Sequence, residues 1–245
     1  MIIQWFGSSQ FLITTDNGIR IVTDPFHNCD IHEDGAVPVY GTHTIRPTYT
    51  GEADVVCMSH GDGDHCYIWN IKGMPKLYTG GATQEYKGVK FRGVATHHGN
   101  DTTFRNNFIG IEADGIRIWH DGDNGQVLSD EQLARIGRVD ILMTNWDDDP
   151  MEMTFEILEK VLDQLKPKVV IPMHHCHVDE FMTTRKHFID HRMDNVEEVE
   201  FKKETLPFEM TVILFKPSNG NPIDFFDPEA YTDLDAYLKE NNKGI

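Results

Sequence analysis

Long apolar runs are missing from this sequence: no stretch reaches the roughly 18 residues that a bilayer-crossing helix needs. Residues 1–15 also lack the basic start, apolar centre and small-residue cleavage site of a secretory leader. Both absences argue for a soluble chain kept in the cytoplasm. Cysteine is scarce, with Cys29, Cys57, Cys66 and Cys176 spread irregularly over 245 residues; this is no disulfide framework, and the expectation is free thiols in a reducing compartment. Positive charge is scarce too. Against 40 acidic side chains stand 22 Lys and Arg, a formal net charge of -18, so the far field repels polyanions and nucleic acid is not an expected partner. A small anion is not excluded, because cations bound in an acidic cleft invert the local field. Internal repeats and low-complexity segments are also lacking.

What is present is enough apolar surface for one large core: 39% hydrophobic residues, including four Trp, seven Tyr and fourteen Phe. A single domain over 1–245 is expected. Residues 1–13 and 18–23 read as β-rich runs joined by Asp16-Asn17-Gly18, whose Asn-Gly pair suits a tight turn with positive φ. Residues 26–52 carry polar, proline- and glycine-broken sequence, read as a long surface loop. Short apolar runs at 54–59, 115–120, 139–144 and 169–172 are too brief for helices and read as buried strands. Each delivers the chain to a polar residue: His60, Asp123, Asn145 and His174. Ser129-Asp130-Glu131-Gln132 is a Ser-x-x-Gln capping box, predicting a helix that ends near Gly137. A second helix is expected from about 150 to 165, with Phe155, Leu158, Val161, Leu162 and Leu165 on one stripe and Pro167 beyond its end. The acidic 218–245 tail suits a terminal helix on the surface or on another subunit.

Chemistry concentrates in Ser59-His60-Gly61-Asp62-Gly63-Asp64-His65. Four metal-capable side chains, His60, Asp62, Asp64 and His65, fall within six positions, with two glycines that let the backbone turn between them. An isolated Asp-Gly-Asp is most simply a solvated turn. Two flanking histidines change that reading, since carboxylates and imidazoles forced into one volume need a compensating cation. Thirteen histidines in the chain, several at strand ends, point the same way.

With this spacing the sequence resembles the metallo-β-lactamase superfamily, whose signature is His-x-His-x-Asp-His after a β-strand, with Asp62 standing where the family has its second histidine. It is most similar to the branch of small metal-dependent hydrolases that includes the ascorbate-6-phosphate lactonases. Trp5-Phe6-Gly7-Ser8 and Thr23-Asp24-Pro25 look like that branch's start. Gly93-Val94-Ala95-Thr96-His97-His98 resembles its Gly-Ile-Pro-x-x-His segment, with His98 as ligand and His97 as rival. His120-Asp121-Gly122-Asp123 resembles its bridging-aspartate segment, and Ile171-Pro172-Met173-His174 its last ligand segment. The resemblance implies an αββα sandwich and two divalent metal ions. His60, Asp62 and His98 would hold one, Asp64, His65 and His174 the other, and Asp123 would bridge them.

The implied activity is hydrolysis of a small ester, lactone or phosphoester by a metal-bound hydroxide, with Asp64 helping to orient it and His175 a candidate for proton transfer. Zinc is the first expectation for the metal. Asp62 adds a third carboxylate, which lowers the site's Lewis acidity and moves its preference toward manganese or iron. The flavodiiron branch also has a carboxylate there, so a diiron redox protein fed by a separate electron donor is the alternative, followed by a binding protein that has lost turnover. Asp24 and His120 are candidates to orient a ligating imidazole through its other nitrogen. Asn145, Trp146 and Asp147-Asp148-Asp149 are candidates to line the pocket, although an acidic run before a helix is explained by the helix dipole. A small-molecule substrate is expected, and a homo-oligomer is left open.

Overall fold

The computed structural model describes residues 1–26, 48–146, 153–174 and 191–215. Two β-sheets pack face to face. The first has six strands: β1 (Ile2–Gly7), β2 (Gln10–Thr14), β3 (Arg20–Thr23), β4 (Val55–Cys57), β5 (Lys76–Tyr78) and, far along the chain, β13 (Glu198–Glu200). They run in the order β13-β1-β2-β3-β4-β5. The second sheet holds β6 (Gln84–Tyr86), β7 (Val89–His98), β8 (Asp101–Ala113), β9 (Ile116–His120), β10 (Ile141–Asn145), β11 (Val169–Met173), β12 (Arg192–Val196) and β14 (Thr211–Phe215). Its order is β12-β14-β11-β10-β9-β8-β7-β6.

The alternation of side chains along each strand builds the layers. Ile3, Trp5, Phe11, Ile13, Val55 and Cys57 from one sheet meet Ile109, Ile118, Ile141, Met143, Ile171 and Phe215 from the other in one buried cluster. The intervening residues face outward. Leu142, Val170 and Val212 pack under two helices, α1 (Asp130–Ile136) and α2 (Phe155–Leu165), while Leu12, Val22 and Val56 form a smaller cluster with Ile71 on the outer face of the first sheet. Central strands buried on both faces must read as unbroken apolar runs, as Ile141-Leu142-Met143 and Val169-Val170-Ile171 do. The architecture is the expected αββα sandwich, and both α-helices among the described residues cover the eight-stranded sheet.

The capping box at α1 forms as its sequence requires: the Ser129 hydroxyl accepts from the Gln132 backbone N–H, and the Gln132 side chain accepts from the Ser129 N–H. The helix stops at Gly137. Helix α2 starts later than expected, at Phe155, because the Thr154 side chain caps it by accepting from the Ile157 N–H; Leu158, Val161, Leu162 and Leu165 are its buried stripe. The opening run 1–13 is two strands rather than one. It breaks at Gly7 and Ser8, both with positive φ (104° and 44°), and β2 then pairs back antiparallel on β1. In the next turn only Gly18 of the Asn17-Gly18 pair takes a positive φ. The expected 26–52 loop lies mostly outside the described residues. Its described end is tied down: Thr48 is buried and donates to Gln10 Oε1 at 2.7 Å. The 218–245 segment is also outside the described residues.

The sheets converge where strands end. β9, β10 and β11 are parallel neighbours, so their carboxyl ends share one edge of the sheet, and the end of β4 approaches from the other sheet: the Asn107 N–H donates to the Ser59 carbonyl at 3.0 Å.

Candidate metal centre

Each ligand-capable side chain is placed by a backbone device. After β4 the chain doubles back at Asp62, whose carbonyl accepts from the His65 and Cys66 N–H groups at 2.9 and 3.0 Å; this brings His60, Asp62, Asp64 and His65 around one volume. At the end of β7 a bulge lies between His97 and His98. The turn beyond is laced to the loop after β9, with Gly99 N–H to Asp123 O and Gly125 N–H to His97 O both at 3.1 Å. His174 follows β11 in the left-handed region, φ 53°, and its N–H donates to Ser8 O at 3.2 Å. Gly122, at φ 58°, has no room for a side chain: a Cβ there would stand 2.6 Å from Ser59 Oγ and press on Asn106 Oδ1.

Three overlapping sets of donor atoms result, each lying within 4.8 Å of one another: His60 with Asp62 and His98, His60 with His65 and Asp123, and Asp64 with His65 and His174. Asp123 is the hinge of the arrangement. Its Oδ2 is 2.9 Å from His65 Nε2, 3.5 Å from His60 Nε2 and 3.4 Å from His98 Nε2, while its Oδ1 accepts from Asn145 Nδ2 at 3.3 Å. On the far side Asp64 Oδ2 lies 3.4 Å from His65 Nε2 and 3.5 Å from His174 Nε2.

Electrostatics make the cluster costly without a cation. Three carboxylates share it, Asp123 fully buried and Asp64 partly so, and Asp62 feels the charge of both. Burial alone would raise Asp64 and Asp123, yet the charge of neighbouring imidazoles, His65 foremost, holds both well below the ordinary carboxylate range. Burial likewise works against charge on His65, and Asp123 and Asp64 overcome it, so its pKa stands well above that of a free imidazole. In effect a proton on His65 takes the place of a cation. His60 goes the other way: burial first, then repulsion from His65, push it down to about 4. Asp62 is raised, by burial and then by Asp64. Most telling, the Nε2 atoms of His60 and His65 are buried and complete no hydrogen bond. Buried polar atoms left in this way are costly, and two imidazole nitrogens aimed at a carboxylate-lined space fit a divalent ion, which would take the place of the His65 proton.

The comparisons agree. The family model for the beta-lactamase superfamily domain matches residues 2–174. The chain belongs to this superfamily. A UPF0173 metal-dependent hydrolase of Polaromonas sp. is 24% identical over 217 residues, 70% of this chain and 76% of the relative. Among solved structures, one from Thermotoga maritima, provisionally named a Zn-dependent hydrolase of the metallo-beta-lactamase superfamily, is 27% identical at a TM-score of 0.68, covering 87% of this chain and 97% of that one. The diiron β-hydroxylase CmlA of Streptomyces venezuelae shares the fold alone, at 12% identity and a TM-score of 0.52 over 71% of this chain and 44% of its own.

Within this superfamily member the expected residues fall as follows. His60, Asp62, Asp64, His65, His98, Asp123 and His174 come together in the cluster. His97 turns away, its Nδ1 2.8 Å from the Gly99 carbonyl. Asp24 reaches an imidazole as expected, 2.8 Å from His65 Nδ1. His120 does not orient a ligand ring. Its Nε2 lies 2.9 Å from Ser9 O and its Nδ1 accepts from the Gly122 N–H at 3.1 Å, so it braces the loop that carries Asp123. The Asn145 side chain donates to Asp123 Oδ1. His175 and Asp147-Asp148-Asp149 lie outside the described residues.

Sequence reasoning misses four supports. Asn106 donates to Asp121 O at 2.7 Å and accepts from the Asp123 N–H at 3.3 Å; Asn107 donates to Ser59 O at 2.8 Å. Ser59 bonds to Asp24, and Asp121 is a buried carboxylate capped by the Thr144 hydroxyl and the Asn145 N–H. Two adjacent amides that open the buried half of β8 are a signal that could have found the first pair.

Proposed function

We propose that this chain is a metal-dependent hydrolase acting on a small ester, lactone or phosphoester. The observation that carries the reading is the pair of buried, hydrogen-bond-free Nε2 atoms of His60 and His65 facing Asp123 Oδ2. His60, Asp62 and His98 would hold one divalent ion and Asp64, His65 and His174 a second, with Asp123 between them. Ions at such a site supply a lowered pKa for water and polarise the carbonyl or phosphoryl group under attack. The chain's own part is positional. Asp123 is held by Asn145 on one oxygen and leaves the other toward the imidazoles, and Asp64, between His65 and His174, is placed to orient a water by accepting a hydrogen bond from it.

The superfamily, the hydrolase relatives and the donor set support this reading. The net charge of -18 disfavours nucleic acid as substrate, and a small molecule is the partner we infer. No helix among the described residues is long and apolar enough to cross a membrane; a cytoplasmic location is part of the proposal. Zinc is the first choice of metal, with manganese or iron favoured by the third carboxylate.

The test is a panel of lactones, phosphodiesters and thioesters offered to zinc- or manganese-loaded protein and to its His65→Ala variant. Turnover of at least one class, lost in the variant while its circular dichroism is unchanged, is the expected result; equal rates in both would contradict the assignment. The carboxylate at Asp62 keeps a second reading in view, a diiron redox protein. Iron that copurifies with a visible absorption band, together with no hydrolysis across the panel, would favour it.

A further inference from the structure

The cluster contains a hydroxyl that none of the assigned roles uses. Ser59, fully buried, stands with its Oγ 2.6 Å from Asp24 Oδ2 and 2.9 Å from His60 Nδ1. Asp24 accepts three donors: the Ser59 backbone N–H at Oδ1 (2.7 Å), and the Ser59 hydroxyl and His65 Nδ1 at Oδ2 (2.6 and 2.8 Å). A carboxylate with that many donors is held ionised, and an ionised carboxylate can only accept. The single hydroxyl proton of Ser59 therefore goes to Asp24. What remains on Oγ toward His60 is a lone pair, which requires the His60 proton on Nδ1 and leaves Nε2 bare. The same carboxylate takes the Nδ1 proton of His65 directly, which turns the Nε2 of that ring toward Asp123 as the atom a cation would meet.

We propose that Ser59 is a positioning residue that links both halves of the cation site to one carboxylate: Asp24 sets the ring orientation and tautomer of His65 directly, and those of His60 through the Ser59 hydroxyl. The proposal rests on the two-ion reading above, in which His60 and His65 belong to different ion sets. The surroundings hold the relay in place. The Ser59 carbonyl takes both the backbone N–H and the side-chain Nδ2 of Asn107, at 3.0 and 2.8 Å. Only a glycine at 122 leaves the hydroxyl its space. Asp24 is itself kept at φ 35°, an unfavourable backbone conformation for a residue other than glycine, in a fully buried position. A serine that only filled a polar gap would need one partner; this one is placed between the acceptor and the ring.

Two measurements test it. Calorimetric titration of the metal-free full chain with zinc or manganese should show two binding steps in the wild type. Ser59→Ala should weaken one of them by roughly 10-fold, the lower end of what loss of an outer partner costs a ligating histidine, and leave the other in place. Asp24→Asn should weaken both. Equal losses in the two steps of Ser59→Ala, or no loss in either, would overturn the proposal. The second measurement needs no variant. A long-range proton–nitrogen spectrum of the metal-free wild type should find the His60 proton on Nδ1, and a proton on Nε2 would overturn the relay whatever the variants do. A wild type that binds no divalent ion would instead sink the functional reading, and the ring-proton result would still decide the relay.

Discussion

Asp62 is the most exposed of the seven ligand-capable side chains, at 51% of its surface, where His60 and His65 are at 0% and Asp123 at 2%. It is also the residue that departs from the superfamily signature. A carboxylate at this place makes the donor set harder and more negative, and favours manganese or iron over zinc relative to an imidazole. Asp62→His is therefore predicted to raise the ratio of zinc to manganese affinity by on the order of 10-fold, the scale of a single change at a metal site. Competition titrations of the two ions against wild type and variant measure it, and an unchanged ratio would show that this carboxylate does not set metal choice. At this scale the sequence is informative where ligands are close along the chain, as in His60 to His65, and silent where a contact spans many residues. Ser59 meets Asp24 across 35 positions and Asn107 across 48, and no local pattern records such a pairing. The choice between His97 and His98 is also hidden from alternation, because the bulge falls between them and resets which side of the strand each ring leaves.

The elements explain why the residues meet. Parallel strands β9, β10 and β11 end in register at one edge, with Met143 opposite His120 and Asn145 opposite Met173, so polar residues placed just past them become neighbours in space. Those strands are legible because both their faces are buried and they read as apolar runs. β5 to β8 are harder to see, since they form an outer part of their sheets in which exposed Lys90, Glu85 and Thr102 interrupt the pattern. Helix α2 carries the clearest periodic signal, and its face against the sheet is its contribution. Leu162→Ala removes a 3%-exposed side chain from the cluster with Leu142, Val170 and Val212, and should cost about 2–5 kcal/mol. Chemical denaturation of the metal-free protein gives the number. Divalent-ion affinity in the folded variant should be unaltered; an affinity loss comparable to the stability loss would mean that the helix layer and the site are coupled.

For the whole molecule, the ionisable cluster makes stability depend on pH and on cations together. His60 has its pKa pushed from 6.5 to about 4 by burial and then by His65, so its contribution is complete above 6.5 and is lost as pH falls toward 4. Asp64 and Asp123, held below the usual 3.8 against burial by His65 and its neighbours, add a further loss at still lower pH. His65 is shifted upward, against burial, by Asp123 and Asp64; its contribution is present below 6.5 and is lost as pH rises through the raised value. The metal-free protein should accordingly melt highest near pH 6.5 and lower on either side. On the proposed reading a divalent ion would replace the His65 proton, so zinc or manganese should remove the alkaline decline. Melting curves across pH with chelator and with metal decide this, and a metal-free melting temperature that climbs steadily above pH 6.5 would contradict it.

The account stands or falls on two cations sharing Asp123. Anomalous diffraction from crystals soaked in zinc or manganese measures this directly. Two peaks are predicted, one bounded by His60, Asp62 and His98 and the other by Asp64, His65 and His174, with the Asp123 carboxylate between them. A map with no peak inside this ring of side chains, at ion concentrations that occupy other sites on the surface, would contradict it.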